Sequence, residues 1–361
     1  LQDYAAVTSN TYRGHEGEDL APHICGHEFI GEVVKLGPSF GPGAKGRPGL
    51  YSTLKVGDRV VSPFTTSCGE CRYCRLGFTC RCPKGALFGC PILDGAQAHD
   101  PQSWASLLPD QSVAEKLDAI SDISLLLLGD ILPTGLFAAV QALNHPKLSP
   151  LLRGIPWPPR SGDDAKGLTI SDRALTFAVI GLGPVGICAC VALLDQLSEV
   201  LVPYRIVAID PLESRREKVK IIYSLITQDK RRGEFVVQSI DDAKDTIKEW
   251  TAGTGCTAVL EVVGNPSALK LSYELFPFTG GNLYDKNVSF DFGRCPARAM
   301  FPMAFELLVK RQDVFGRNGI TDELDRKGRY IEDPVEMYRC MTRSNRESDN
   351  EPGREHSIDT D

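Results

Sequence analysis

Ala178-Val179-Ile180-Gly181-Leu182-Gly183-Pro184-Val185-Gly186-Ile187-Cys188-Ala189-Cys190 reads as a buried strand, a glycine-rich turn and the first turns of an apolar helix. Gly181 lets the chain turn sharply, Gly183 lets a pyrophosphate approach the backbone without meeting a Cβ, and Gly186 lets the helix pack tightly on the strand. Pro184 and Val185 complete the turn, and the phosphates would face the free N–H groups and positive end of the new helix. A glycine triplet also occurs at ordinary packed corners, so its surroundings decide the reading. Arg205-Ile206-Val207-Ala208-Ile209-Asp210 supplies a second strand, ending in an acid 24 residues after Gly186, close to the spacing of roughly 20 expected of a βαβ dinucleotide unit. Asp210 is suited to accept both hydroxyls of an adenosine ribose and to repel a 2′-phosphate, so NAD is expected rather than NADP. Arg215 and Arg216 stand within reach of a 2′-phosphate and weaken that preference. Their blander expectation is a solvated helix face shared with Glu213, Glu217, Lys218 and Lys220.

With 361 residues, 42% hydrophobic and 24% charged, the chain is long enough for two domains with full cores. Its formal net charge of −7 offers no basic footprint for nucleic acid and no polybasic segment for a membrane surface. A zinc module binding nucleic acid is excluded on the same ground. The first 24 residues are polar, and the apolar stretch 178–194 is broken by the glycine motif, so neither a secretory signal nor a membrane span is expected. The expected location is cytoplasmic. Five of the twelve cysteines fall between Cys68 and Cys82, which in a reducing compartment points to metal rather than to disulfides.

The chain begins at Leu1 and reads as a domain entered midway. His23 to Val34 gives a short β-type run with a turn before His27, residues 37–53 form a turn-rich exposed loop, and Lys55 to Val61 is a turn into a strand. In Cys68-Gly69-Glu70-Cys71-Arg72-Tyr73-Cys74, followed by Cys82, four thiolates have the spacing of a closed tetrahedral zinc site. Cys80 competes with Cys82 for the fourth position, and spacing favours Cys82.

These motifs together resemble the zinc-dependent medium-chain alcohol dehydrogenases. The resemblance covers most of residues 10–315 and rests on Gly26-His27-Glu28-Phe29 with Gly31, Gly57-Asp58-Arg59-Val60, the cysteine lobe, Leu93-Asp94-Gly95-Ala96-Gln97-Ala98, Gly129-Asp130-Ile131-Leu132-Pro133-Thr134-Gly135 and the glycine turn. It implies an α/β protein, a GroES-like β-rich catalytic domain combined with a Rossmann doubly wound parallel sheet. The expected boundaries are 1–143 for the catalytic domain, 144–299 for the dinucleotide domain, 300–341 for a return segment and 342–361 for a disordered tail. The expected reaction is hydride transfer from a small alcohol or aldehyde hydrate to NAD at an active-site Zn2+, in a homodimer or homotetramer. His27 matches the family's ligand histidine, and Glu28 matches the acid that sits behind the metal. Asp130 takes the third-ligand place that the glutathione-independent formaldehyde dehydrogenase branch fills with aspartate, its alternative role being a helix cap. Thr134, in the same motif, belongs with the catalytic group. Val263 and Gly264 end a further strand whose tip faces the cofactor ribose in the family, and the basic residues of Gly293-Arg294-Cys295-Pro296-Ala297-Arg298 help hold the cofactor there.

Three departures accompany the resemblance. Tyr4 to Thr11 has neither the family's first ligand cysteine nor its proton-relay residues, and Cys25, the only thiol nearby, reads as a small buried hydrophobe, its alternative role being a replacement ligand. The helix ending near Leu275 runs into Phe276-Pro277-Phe278-Thr279-Gly280-Gly281 without the expected core strand, so the N-terminus reads as truncated and one Rossmann strand as missing. A helix is expected over 303–311, and a second one at Asp333 to Tyr338. The alternative function is thus a catalytically impaired relative retaining structural zinc and dimerisation.

Overall fold

The computed structural model describes residues 26–38, 40, 52–93, 95, 106–107, 120–158, 169, 173–200, 202–226, 233–276 and 288–316. Expectations for Tyr4 to Thr11, Cys25, Asp94, residues 96–98, residues 277–287, the helix at Asp333 to Tyr338 and the tail lie outside the described residues, as does most of the loop 37–53.

The first sheet is antiparallel. Strands β1 (Phe29–Glu32) and β2 (Arg59–Ser62) pair with Phe29 opposite Ser62, and β3 (Ser106–Leu107) joins the other side of β2. The short helix α1 (Arg72–Arg75) and a 3₁₀ turn at Thr79–Arg81 build the cysteine lobe. Helix α2 (Asp122–Leu126) follows, its N-terminus capped by Ser121. Arg59 at the start of β2 pairs with Asp122. Helix α3 (Ile131–Asn144) then leads toward the second sheet.

That sheet comprises β4 (Leu175–Ile180), β5 (Tyr204–Ile209), β6 (Gly233–Gln238) and β7 (Ala258–Glu261), in the order β6-β5-β4-β7 with all pairings parallel. Parallel neighbours need crossovers, and the helices α4 (Pro184–Leu197), α5 (Glu213–Leu225) and α6 (Ile240–Trp250) supply them, with α7 (Pro266–Glu274) following β7. Alternation along β4 divides the core. Phe177 and Val179 pack with Leu193 and Leu197 of α4 and with Val219 and Ile222 of α5. Ala178 and Ile180 pack with Ala243 and Ile247 of α6 and with Ala268 and Leu271 of α7. Helices therefore cover both faces, which is why β4 is buried throughout and apolar but for Thr176.

Two elements differ from the sequence expectation. Strand β6 lies in a stretch that reads only as charged, because its residues are half-buried or exposed and lack the apolar run of a central strand. Helix α8 (Ala297–Lys310) starts six residues earlier than expected and carries Pro302 inside it. The proline reads as a start signal, yet the buried Ala297, Met300 and Phe301 give the earlier turn enough apolar surface to fold. A short helix α9 (Gln312–Phe315) ends the described chain, where the Ser124 hydroxyl donates to Phe315 O at 2.6 Å. Among the described residues β7 is an edge of the parallel sheet and no helix is long and apolar enough to cross a membrane.

Helices α3 and α4 touch backbone to backbone at Gly135. A Cβ there would stand 2.6 Å from both Ala189 N and Cys188 Cβ, and 2.7 Å from Val185 O. Gly135→Ala must therefore push the helices apart, and overpacking of this kind costs about 1–3 kcal/mol. The expected result is a lower thermal midpoint, measured by calorimetry.

Candidate active site and cysteine metal centre

Cys68, Cys71, Cys74 and Cys82 bring their sulfur atoms within 4.8 Å of one another. One zinc at about 2.3 Å from each of four tetrahedral sulfurs holds them about 3.8 Å apart, so the cluster has the size of a metal site. The backbone is folded to point amides at sulfur. Cys68 N–H donates to Cys82 Sγ at 3.3 Å, Cys71 N–H to Cys68 Sγ at 3.3 Å and Cys74 N–H to Cys71 Sγ at 3.5 Å. Burial opposes ionisation of Cys68, but amide hydrogen bonds from Glu70 and Cys71 outweigh it and hold this thiol below its ordinary range. Cys80 is not part of the cluster. The donor set therefore fits zinc, with Cys82 in the fourth place.

Some distance along the chain, β1 and α3 bring a second group of ligating side chains together. His27, just before β1, is 3% exposed, and its Nε2 stands 3.2 Å from Asp130 Oδ2. Two donors on one zinc, at about 2.0–2.2 Å each, lie about 3.3–3.6 Å apart in tetrahedral geometry. Asp130 occupies the position before α3 but makes no side-chain cap hydrogen bond. Its other oxygen, Oδ1, accepts the Thr134 hydroxyl at 2.7 Å, so the carboxylate is turned away from the helix end and toward His27. Glu28 is buried beside this pair, at 2% exposure. Among the described residues only the cysteine cluster gathers three or more donors around one point, so His27 and Asp130 form a two-donor centre there.

Nothing in the sequence assigns a role to Cys188, which α4 places near the same carboxylates. Burial first, and then the negative charges of Glu28, Cys190 and Asp130, push its thiol well above the usual range. Its neighbourhood follows from the α3–α4 contact at Gly135, a tertiary feature without a local signal. Cys295 is likewise pushed up, mainly by burial; the Thr134 hydroxyl partly offsets this and the charge of Asp130 adds to it.

The glycine turn sits at the N-terminus of α4. Gly181 has φ +92°, a left-handed conformation that glycine tolerates. A Cβ on Gly186 would lie 1.7 Å from Gly181 O, whereas one on Gly183 would meet nothing within 4 Å. The turn is thus closed on its inner side and open at Gly183, with α4 starting at Pro184. The strand expected to reach Gly264 ends at Glu261. Glu261 Oε1 then accepts the N–H groups of Val263 at 2.7 Å and Gly264 at 2.8 Å, which folds the strand tip over Gly181. A cleft of about 750 Å³ is lined by Thr134 of α3, Val185 of α4, Val263 and Gly264 after β7, and Phe292 and Cys295 before α8.

Asp210 lies directly after β5, and both arginines stand against it. The Asp210 carboxylate is 1% exposed; Oδ2 accepts Leu182 N–H at 2.8 Å and Oδ1 accepts Leu212 N–H at 2.9 Å. Arg215, still exposed, lies 3.4 Å from Asp210 Oδ2, and Arg216 donates to Asp210 O and Pro211 O at 2.9 and 2.7 Å. Arg298, expected near the cofactor, donates to Ser67 O at 2.8 Å and ties α8 to the cysteine lobe.

The profile of the alcohol dehydrogenase GroES-like domain matches residues 3–106. The chain is 34% identical over 326 residues to zinc-type alcohol dehydrogenase B of Aspergillus flavus, covering 85% of this chain and 64% of that protein's length. It is 36% identical over 269 residues to the medium chain reductase/dehydrogenase ucsI of Acremonium sp, covering 74% of this chain and 76% of the relative. Among solved structures, the alcohol dehydrogenase TADH from Thermus sp. ATN1 superposes with a TM-score of 0.61 at 23% identity, covering 87% and 82% of the two chains, a likeness of fold.

Proposed function

Because the chain belongs to the zinc-type medium-chain alcohol dehydrogenase family, we propose that it oxidises a small alcohol or aldehyde hydrate with transfer of hydride to NAD. The observation that carries this reading is the 3.2 Å approach of His27 and Asp130, with Thr134, the hydroxyl partner of Asp130, lining the same cleft as Val185 at the dinucleotide turn. His27 and Asp130 would hold the active-site zinc, with Glu28 behind them, and the Cys68, Cys71, Cys74 and Cys82 cluster would hold a structural zinc. Bound zinc supplies Lewis acidity that lowers the pKa of an alcohol oxygen, and bound NAD supplies the hydride acceptor.

The chain's own residues orient these groups. Thr134 donates its hydroxyl proton to Asp130 Oδ1, so Oδ2 alone is left toward His27. Burial of His27 between β1 and Phe64, with ring centroids 6.0 Å apart, fixes its imidazole. The amides at the start of α4 and the open face of Gly183 receive the pyrophosphate, and Val185, Val263 and Gly264 border the path toward the nicotinamide. On this reading residues 1–143 and 300–341 form the catalytic domain and 144–299 the dinucleotide domain. Asp130 in the segment Gly129 to Gly135 favours the aldehyde-hydrate branch. The free thiols among the described residues suit a reducing, cytoplasmic setting, and the assembly would be a homodimer or homotetramer.

The two-donor count at His27 and Asp130 favours a second reading, an inactive relative that keeps only the cysteine-bound zinc. Nicotinamide absorbance during incubation of zinc-loaded protein with NAD and a panel of primary alcohols and formaldehyde separates the two. Substrate-dependent NADH formation that stops on chelation is expected. NAD binding without NADH formation on any substrate would establish the second reading instead.

A further inference from the structure

We propose that the adenosine-ribose end of the dinucleotide site accepts a 2′-phosphate, so that the chain binds NADP as well as NAD, with Arg215 as the residue that determines this breadth. The inference rests on the dinucleotide reading above. An acid at the end of the second strand rejects NADP when its carboxylate is open to the ribose and accepts the 2′-hydroxyl. Asp210 is not presented in that way. Each of its oxygens accepts one amide, from Leu182 and from Leu212, and at 1% exposure the carboxylate is enclosed and holds the glycine turn against the end of β5.

What the strand end presents to solvent is cationic. Arg215 pairs with Asp210 Oδ2 at 3.4 Å while its side chain remains 51% exposed, so the guanidinium covers the carboxylate and keeps donors accessible. A guanidinium carries five N–H donors in a fork that matches phosphate. Arg216 is held on the same turn by two main-chain carbonyls, Asp210 O and Pro211 O, and this fixes the backbone from which Arg215 projects. The adjoining groove of about 430 Å³ does not compete for the phosphate. Arg216 and Lys220 line it together with Glu213, Glu217, Asp242 and Asp245, and Lys220 is engaged by Glu217 at 2.6 Å. A 2′-phosphate is therefore met by Arg215, which neutralises Asp210 and supplies the phosphate donors.

The test is equilibrium binding of NADH and NADPH, followed by nucleotide fluorescence, to the full chain and to its Arg215→Ala and Arg215→Lys variants, each checked by thermal melting. Wild-type protein is expected to bind NADPH within about threefold of NADH. Arg215→Ala is expected to weaken NADPH by roughly tenfold or more, the size of one charge-assisted hydrogen bond, and NADH by less than about threefold. Arg215→Lys should recover part of the NADPH affinity, since it restores charge without the fork. Wild-type protein that binds NADH but not NADPH overturns the proposal and leaves the dinucleotide reading standing. An unchanged NADPH-to-NADH ratio in Arg215→Ala also overturns it. Binding of neither nucleotide refutes the dinucleotide reading itself, and the proposal with it.

Discussion

Asp130→Ala is expected to reduce kcat/KM for alcohol oxidation by at least about 10²-fold, in keeping with the loss of a metal ligand and of the geometry it imposes. The carboxylate is the point where three features of the fold converge. It lies 3.2 Å from His27 Nε2, it accepts the Thr134 hydroxyl at 2.7 Å, and it stands at the N-terminus of the helix that meets α4 at Gly135. Alanine removes the first two and leaves the third, so the fold should persist while the site fails. Asp130→Cys provides the control, because many family members use cysteine in this place. It should retain metal and part of the activity, and steady-state kinetics with metal analysis read both. If Asp130→Ala keeps wild-type kcat/KM, the carboxylate is only a packing partner of His27.

The second large effect is on stability. Cys71→Ser, or removal of metal from the wild type by a strong chelator, should unfold the cysteine lobe, because structural zinc contributes roughly 10–16 kcal/mol in zinc-finger peptides. The lobe has little else to hold it, since α1 contains no buried residue and the sulfurs themselves accept the local amide hydrogen bonds. Arg298 ties α8 to Ser67, immediately before Cys68, so the loss should spread into the packing of α8 on α3. A markedly lower melting temperature that zinc restores in chelated wild type, but not in Cys71→Ser, is the expected result. A melting curve indifferent to chelation would remove the structural-zinc reading.

The parts of this fold that are legible in the sequence have local, period-defined signals. The glycine turn is readable because Gly181 and Gly186 are required by a backbone angle and a 1.7 Å approach. The four cysteines are readable because short loops and one longer return determine which sulfurs meet, and Cys82 rather than Cys80 completes the group. β6 is hidden because an edge strand needs no apolar run, and the start of α8 is hidden because Pro302 resembles a boundary. Asp210 shows the limit of residue-type reasoning. Its position at the end of β5 follows from sequence, but whether its carboxylate faces a ribose or the Leu182 amide depends on how the glycine turn closes. The same holds for Arg215 and Arg216, whose helical spacing fits a solvated face and gives no sign that their side chains also reach the strand end. Cys188 gains its place beside Glu28 and Asp130 only through the contact of α3 with α4, which is tertiary.

Zinc content of the purified chain, measured by mass spectrometry of the metal alongside alcohol-dependent NADH formation, tests the central claim most directly. The account predicts two zinc ions per chain with turnover, falling to one ion without turnover in Asp130→Ala. One zinc per chain in the wild type, with no NADH formed from any alcohol or aldehyde, would contradict it.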